Sequence, residues 1–549
     1  VVSGWAGASS AQAQSRTGGT VVSTTPIPVE PVSSATRIAA KPVLPPAMCP
    51  PPDGTRPDST LVNVDPFVLR RFPLQRVYQQ LVSLSGSGTP SAVGLYQQMW
   101  DSLDKSSAAK FSAPHCDDPG AINQFPIDCP RQEKVLKDSA PESFTPVGLF
   151  NRFDLSSSDG TICGEYRIVY ALGGRIDNPY PGDPKLPPEA SALSAKSATT
   201  QPVIDKELSL GRGRNFIIFE GVLPNPNPRC GIEACRPVVK FWESLATLDA
   251  TTAAGQTALA DRLERFYFKG LPGFEPVVHP GHYGASGGGG YGQKSGGQIR
   301  TNMFLDAEWQ LREFHLIDSC NFKPGCKLVL DPVTVKTNPY HEMFDVLNPT
   351  PDPRAGAFQS LFPGQAGPLS TDVVAQISMS IDDKFNAGQS TSQDFTENYE
   401  LQFGLGSPHI AFSNAITSVL TSLPTPRFDL TPEDIVRRAE TQSCGGCHEQ
   451  SNGVALGGKL NPTWPPSRGF VHIDEASFLS EALWCVFLPA RKTVLDGFAA
   501  SPGIACPPVA TSPTPITPVV VLSESSLDAT LPNIEPSALT VAGKVSGPN

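Results

Sequence analysis

Five residues late in the chain combine the types and spacing that chemistry needs: Cys444-Gly445-Gly446-Cys447-His448. Two thiols three positions apart can add to the two vinyl groups of one porphyrin, and the adjacent imidazole then lies beneath the iron. C-x-x-C-H is the pattern at which c-type haem is attached. Gly445 and Gly446 carry no side chains, so the backbone can wind tightly between the two thioethers. The expectation is one covalent haem c per chain, held by Cys444 and Cys447 with His448 on the iron. Three other readings of C-x-x-C stand beside it. A redox dithiol usually follows a strand of a thioredoxin-like βαβ unit, and no such pattern precedes Cys444. A structural zinc site wants a second Cys/His pair, and none follows at ribbon spacing. A short structural disulfide is the third.

The elements that must position this pentad belong to a chain of 549 residues, long enough for two or three domains with real cores. Hydrophobic content of 39% is low, and 57 Pro with 48 Gly is high, which points to a loop-rich globular protein with disordered segments. The net charge of −11 and the absence of a dense Lys/Arg run argue against nucleic acid as a partner. No apolar run approaches the length of a transmembrane helix. Of 12 cysteines, the two in the pentad leave ten, an even number that suits disulfides and an oxidising compartment. Cys230/Cys235 and Cys320/Cys326 are close pairs in sequence, but connectivity is not deducible from spacing. The stretch Val1 to Ala13, ending Ala11-Gln12-Ala13, resembles the end of a secretory signal with an A-x-A cleavage site. Together these point to a periplasmic or secreted bacterial protein.

In order along the chain, residues 1–60 read as the signal remnant and a Pro-rich tether. An α+β domain is expected over 61–350. Leu74, Val77, Tyr78, Leu81 and Leu84 mark one helical face after Pro73, and a second helix is expected over 92–103. Glu165 to Leu172, Asn215 to Leu223, Gln298 to Phe304, Trp309 to Ile317 and Lys327 to Val335 read as strands. Pro237 to Leu245 and Ala258 to Phe268 read as helices, the latter stopped by Gly270. The irregular alternation favours α+β over a doubly wound sheet.

Two motifs in this part suggest other chemistry. The stretch 287–297 is glycine-rich, but Gln293 separates Gly292 from Lys294, so it lacks the Gly-Lys-Ser/Thr of a phosphate loop. His279 and His282 flank Pro280-Gly281, with Glu275 near; these are metal-ligand types, although spacing on a turn says little alone.

Residues 351–508 read as a mainly helical haem domain, and 509–549 as a disordered tail. Helices are expected over 369–385, 412–423 and 431–440. The last has Thr431 as N-cap, Pro432 in the first turn, and Glu433 and Asp434 at the positive helix end. It runs toward Cys444. A Gly/Pro-rich stretch with Gly453, Gly457, Gly458, Pro462, Trp464, Pro465 and Pro466 follows the pentad, and 487–498 suits a closing helix.

Over about residues 430–500 this arrangement resembles the c-type cytochromes, in which a helix delivers the chain to C-x-x-C-H and a loop then wraps the haem edge. The resemblance implies a carbonyl in that loop that orients the proximal imidazole. It departs from the family in one respect: the usual axial Met lies downstream of the motif, whereas all five Met here lie upstream. His472 is the sole His after His448 and becomes the candidate sixth ligand, with Met379, Met343 and His409 as upstream alternatives. The expected function is that of an exported mono-haem c-type cytochrome. It would carry out electron transfer or haem-dependent redox chemistry with a redox partner protein or a small oxidant or reductant. The rival is a disulfide-stapled extracellular binding or scaffold protein in which CGGC is a bridge.

Overall fold

A computed structural model describes residues 49, 56–85, 90–99, 121–127, 141–173, 215–284, 297–305, 308–318, 328–345, 352–392, 398–405 and 410–503. The chain divides into two units, Val1–Cys506 and Pro507–Asn549, and every described residue belongs to the first. The proposed signal remnant, the 507–549 tail, most of the glycine-rich stretch, His409, Cys320 and Cys326 lie outside the described residues.

The described part is mixed α and β, with an antiparallel sheet. Its strands are β1 (Val62–Asn63), β2 (Ala121–Ile122), β3 (Phe125–Pro126), β4 (Phe144–Arg152), β5 (Ile162–Leu172), β6 (Phe216–Pro224), β7 (Gln298–Leu305), β8 (Glu308–Asp318), β9 (Leu328–Val333) and β10 (Ser390–Thr391). β2 and β3 form a small hairpin. The main sheet runs β1-β4-β5-β6-β7-β8-β10, with β9 also on β8. β7 takes one edge of β8. β10 and β9 share the other, β10 opposite Leu311 and Gln310 and β9 opposite residues 313–318.

Period-two alternation explains why this sheet is both a core wall and a cavity wall. On β5, Tyr166, Ile168 and Tyr170 are fully buried among Ile217, Phe219 and Ile299 of the neighbouring strands. Helices Leu74–Ser85, Ala92–Met99, Arg236–Leu245 and Ala253–Phe268 contribute to the same cluster. Each large side chain so buried contributes about 1.5–3 kcal/mol. The intervening residues Glu165, Arg167 and Val169 face the other way. So do Phe150 and Arg152 of β4, Phe216 and Ile218 of β6, and Gln298, Arg300 and Asn302 of β7, and all of these line one cavity.

The helix Ala253–Phe268 begins earlier than periodicity suggests, because the Thr252 hydroxyl accepts from the Gly255 N–H at 3.1 Å and caps it there. It stops at Gly270, whose φ of +79° suits glycine. Leu84, expected on the buried face of Leu74–Ser85, is 44% exposed. The expected 369–385 helix is not formed. Its residues make two short 3-10 turns, Val374–Gln376 and Asp383–Phe385, joined by extended chain. Val373, Val374, Ile377 and Ile381 are β-branched and hold a helix weakly. Here Ile377, Ser378 and Met379 line the cavity instead.

A second apolar cluster gathers Phe344, Phe358, Phe362, Tyr399, Phe412, Ile416, Ile435 and Val436 from short helices after residue 340. The Pro432–Glu440 helix forms as its sequence implies, with a reciprocal capping box between Thr431 and Asp434. Among the described residues, disulfides join Cys163 to Cys235 and Cys49 to Cys485, and Cys230 is also disulfide-bonded. Cys230 and Cys235, neighbours in sequence, are therefore not each other's partners. No helix among the described residues is long and apolar enough to cross a membrane.

Candidate functional site

The pentad is delivered by the Pro432–Glu440 helix, and the helix is anchored by Arg438. That guanidinium is fully buried and donates to the carbonyls of Leu456, Leu369, Thr371 and Gly457 and to the Asp372 carboxylate, at 2.8–3.1 Å. One side chain thus ties the helix to the segment before it and to the loop after the pentad. Beyond Glu440 the chain turns. The Gly446 N–H donates to Ser443 Oγ and the Gly445 N–H to Ser390 Oγ on β10, both at 2.9 Å. A Cβ on Gly446 would sit 1.9 Å from the Glu440 carbonyl, so this position takes glycine. Gly446–Gln450 then winds as a single π-helical turn, a form enriched at functional sites.

Cys444, Cys447, His448 and His472 all line the cavity beside the charged face of the sheet. Cys444 and Cys447 are thiols, outside any disulfide. His448 Nδ1 lies 2.8 Å from the Phe470 carbonyl and donates to it, which leaves Nε2 with its lone pair. Gly469 and Phe470 both have positive φ, +57° and +69°. That conformation is unusual for a bulky residue, and here it occurs where the carbonyl meets the imidazole. Trp309 of β8 stacks on the other side, its ring 4.7 Å from that of His448 with planes 19° apart. Burial pushes the His448 imidazole down to about 4, against the pull of the Phe470 carbonyl, so the ring is neutral at pH 7.

His472 stands beside His448, with ring centroids 4.6 Å apart and planes at 52°. Its Nε2 is 3.3 Å from Cys447 Sγ and its Nδ1 is 3.0 Å from Ser480 Oγ. Burial raises the Cys447 thiol to about 12, with Arg491, Arg152 and Arg300 opposing, and burial also lowers His472. The consistent protonation is a thiol that donates to His472 Nε2, with Nδ1–H donating to Ser480. Two imidazoles on opposite faces of one metal ion, each about 2 Å from it, would hold their ring centres roughly 6 Å apart. The 4.6 Å spacing is too short for that. Of the upstream candidates, Met379 lines the cavity, whereas Met343 is fully buried in the second cluster and does not.

The cavity measures about 1100 Å³, just above the roughly 300–1,000 Å³ usual for cofactor and ligand sites. Away from the sheet the lining is apolar, with Ile377, Trp464, Val471, Ile473, Leu483 and Phe487, and the sheet adds Phe150, Val169, Phe216 and Ile218 between its charges. The sheet wall is ionic. Arg167 meets Glu165 at 2.6 Å and Glu220 at 2.9 Å; Arg300 meets Glu220 at 3.3 Å and Glu313 at 2.5 Å; Arg152 meets Asp154 at 2.9 Å. Burial raises Glu165, but Arg167, Lys336 and Arg152 together bring it below its ordinary value. Glu220 stays raised because burial outweighs Arg167 and Arg300. Arg491 is looser, 3.8 Å from Asp154, and burial with the neighbouring Arg152 lowers it to about 9.

The donor set fits a covalently held haem: two thiols and one neutral imidazole with a free Nε2 face a cavity large enough for a cofactor. Sequence reading did not find the ionic wall, Trp309 or Ser480. A signal existed for the first: Glu165, Arg167, Glu220, Arg300 and Glu313 are charged residues in the middle of strands flanked by large apolar residues. No protein-family model, no curated protein and no solved structure matches this chain.

Proposed function

We propose that this chain is an exported mono-haem c-type protein of redox function. Cys444 and Cys447 would hold the haem through thioethers and His448 would ligate its iron. The observation that carries the reading is that both thiols and the His448 ring, oriented by Phe470, open into one cavity of about 1100 Å³. The group, when bound, supplies one-electron iron chemistry. The protein's part is to hold and shield it. Phe470 and Trp309 fix the imidazole, and the hydrogen bond from Nδ1 raises its basicity. The apolar side chains around the cavity lower the local polarity, which would tune the potential. Arg491, only loosely paired, is the cation with which the cavity would meet the carboxylates of the group. The disulfides support an oxidising compartment.

The sixth ligand decides between electron transfer and small-molecule chemistry. His472 remains the sequence candidate, but to serve it would have to give up its contacts with Cys447 and Ser480. Met379 is the rival on the cavity wall. The rival reading, a disulfide-stapled scaffold protein, would need Cys444 joined to Cys447.

A pyridine-haemochrome spectrum of protein made with haem-attachment machinery tests the reading. A c-type spectrum that survives acid-acetone extraction supports it, and loss of haem on extraction overturns it. Low-temperature EPR of oxidised protein and of His472→Ala then assigns the sixth position. A low-spin signal that turns high-spin in the variant makes His472 the ligand, and unchanged spectra exclude it.

A further inference from the structure

A second group of ligand-type side chains lies away from the cavity, just after the helix Ala253–Phe268. Gly270 and a tight turn, closed by the Leu271–Phe274 bridge, send the chain back so that Glu275, His279 and His282 converge. The segment is held firmly. Gln80 Nε2 donates to the carbonyls of Phe268 and Val278, at 2.9 and 3.1 Å. Pro280 starts a short 3-10 turn that places His279 at one end and His282 at the other.

One donor atom from each residue falls within 4.8 Å of the others. Glu275 Oε2 is 3.5 Å from His279 Nδ1 and 3.8 Å from His282 Nε2. In a tetrahedral site with bonds of about 2.0–2.1 Å, ligand atoms stand roughly 3.3 Å apart, so small side-chain movements close the set. His282 is 1% exposed, and its Nδ1 lies 3.2 Å from the Val277 carbonyl. Donating there leaves Nε2 as a lone pair facing the Glu275 carboxylate, and this buried Nε2 has no hydrogen-bond partner. A ring nitrogen fixed by a carbonyl, with the other aimed at further donors, is the arrangement that metal-binding histidines adopt. His279 Nδ1 accepts from the Gly281 N–H at 3.1 Å, so it too presents a lone pair, and an ion would take over from that bond. Glu275 is 45% exposed, which gives an ion a way in.

We propose that Glu275, His279 and His282 bind one divalent transition-metal ion of the zinc class, with the fourth position open to water. Two imidazoles disfavour calcium and magnesium, which take oxygen ligands. None of the three residues lines the cavity that holds the C-x-x-C-H pentad, so the ion is separate from any iron there. It fastens the chain after Gly270 against the carbonyl-rich turn that Gln80 also grips.

The test uses tag-free, full-length protein stripped with chelator, then titrated with zinc chloride alone and followed by calorimetry and metal analysis. About one equivalent of zinc should bind and raise the unfolding temperature. Binding should be lost in His279→Gln/His282→Gln and kept in Cys444→Ala/Cys447→Ala. The reverse pattern, with zinc following the thiols, overturns the proposal. Cobalt added to the wild-type chain gives a check that needs no variant: visible d–d absorption of a four-coordinate nitrogen/oxygen site supports it. A colourless product with no stoichiometric uptake overturns it.

Discussion

Trp309 lies flat against His448, ring to ring at 4.7 Å, although the two residues come from a sheet strand and from a π-helical turn far along the chain. Trp309 is fully buried and belongs to a small cluster with Leu311 and Val335, against which Cys444 and Phe470 pack. The imidazole is thus clamped between an indole plane and the Phe470 carbonyl, and its orientation is set by β8 before any ligand arrives.

Trp309→Ala should destabilise the fold by about 3–5 kcal/mol, the usual cost of removing a buried tryptophan. Trp309→Phe should recover most of this. The indole N–H has no hydrogen-bond partner, so phenylalanine loses ring area and no bond. Urea melts of both variants decide it. Equal losses for Ala and Phe would show that the indole acts otherwise than by packing.

Arg438→Ala should cost roughly 3–5 kcal/mol, because it strands four carbonyls and one face of Asp372. Arg438→Lys should stay well short of wild type, since an ammonium cannot reproduce the planar fork. Equilibrium unfolding in urea measures both. A lysine variant as stable as wild type would contradict the anchoring role.

Glu440 gives the fold a pH dependence. Burial pushes its carboxyl up to about 7, from 4.5 in a free chain, against the hydrogen bond from the Glu400 N–H. Between these values the folded state keeps a proton at Glu440 that the unfolded chain has released. The contribution of Glu440 to stability therefore falls as pH rises from about 4.5 to about 7, opposite in sign to that of the buried His448. The loss amounts to about 3 kcal/mol and then levels off. Glu440→Gln should flatten this slope and be the more stable form at pH 8. Urea titrations of both proteins at pH 4.5 and 8 test it, and parallel pH profiles would refute it.

Peptide mapping of non-reduced, alkylated protein should recover Cys163 joined to Cys235 and Cys49 joined to Cys485. Cys163→Ala/Cys235→Ala should lose about 2–4 kcal/mol. A peptide linking Cys230 to Cys235 would contradict the described pairing.

Strands β5 to β9 and the helices Leu74–Ser85, Arg236–Leu245 and Pro432–Glu440 were legible in the sequence because their patterning and caps are local, whereas β4 and the two-residue strands were not read. The pentad was legible because its spacing is contiguous. The 369–385 segment misled because apolar residues at helical spacing can equally line a cavity from an extended chain, and Met379 does so. The cavity wall was hidden for a different reason. Arg167, Glu220 and Arg300 neutralise one another across three strands, and strand order is not written in any one segment. His472 was singled out by elimination, yet its neighbours Cys447 and Ser480 follow from the return of the chain at 470–480.

The bridge from Cys49 to Cys485 spans 436 positions and so makes a covalent ring of nearly all the described chain. A protease that cuts one loop opens this ring without releasing a fragment, and the pieces stay threaded through the same sheet. In a compartment where proteases are common, a nicked molecule would keep both its mass and the pentad. Reductant, rather than the first cut, would set its lifetime.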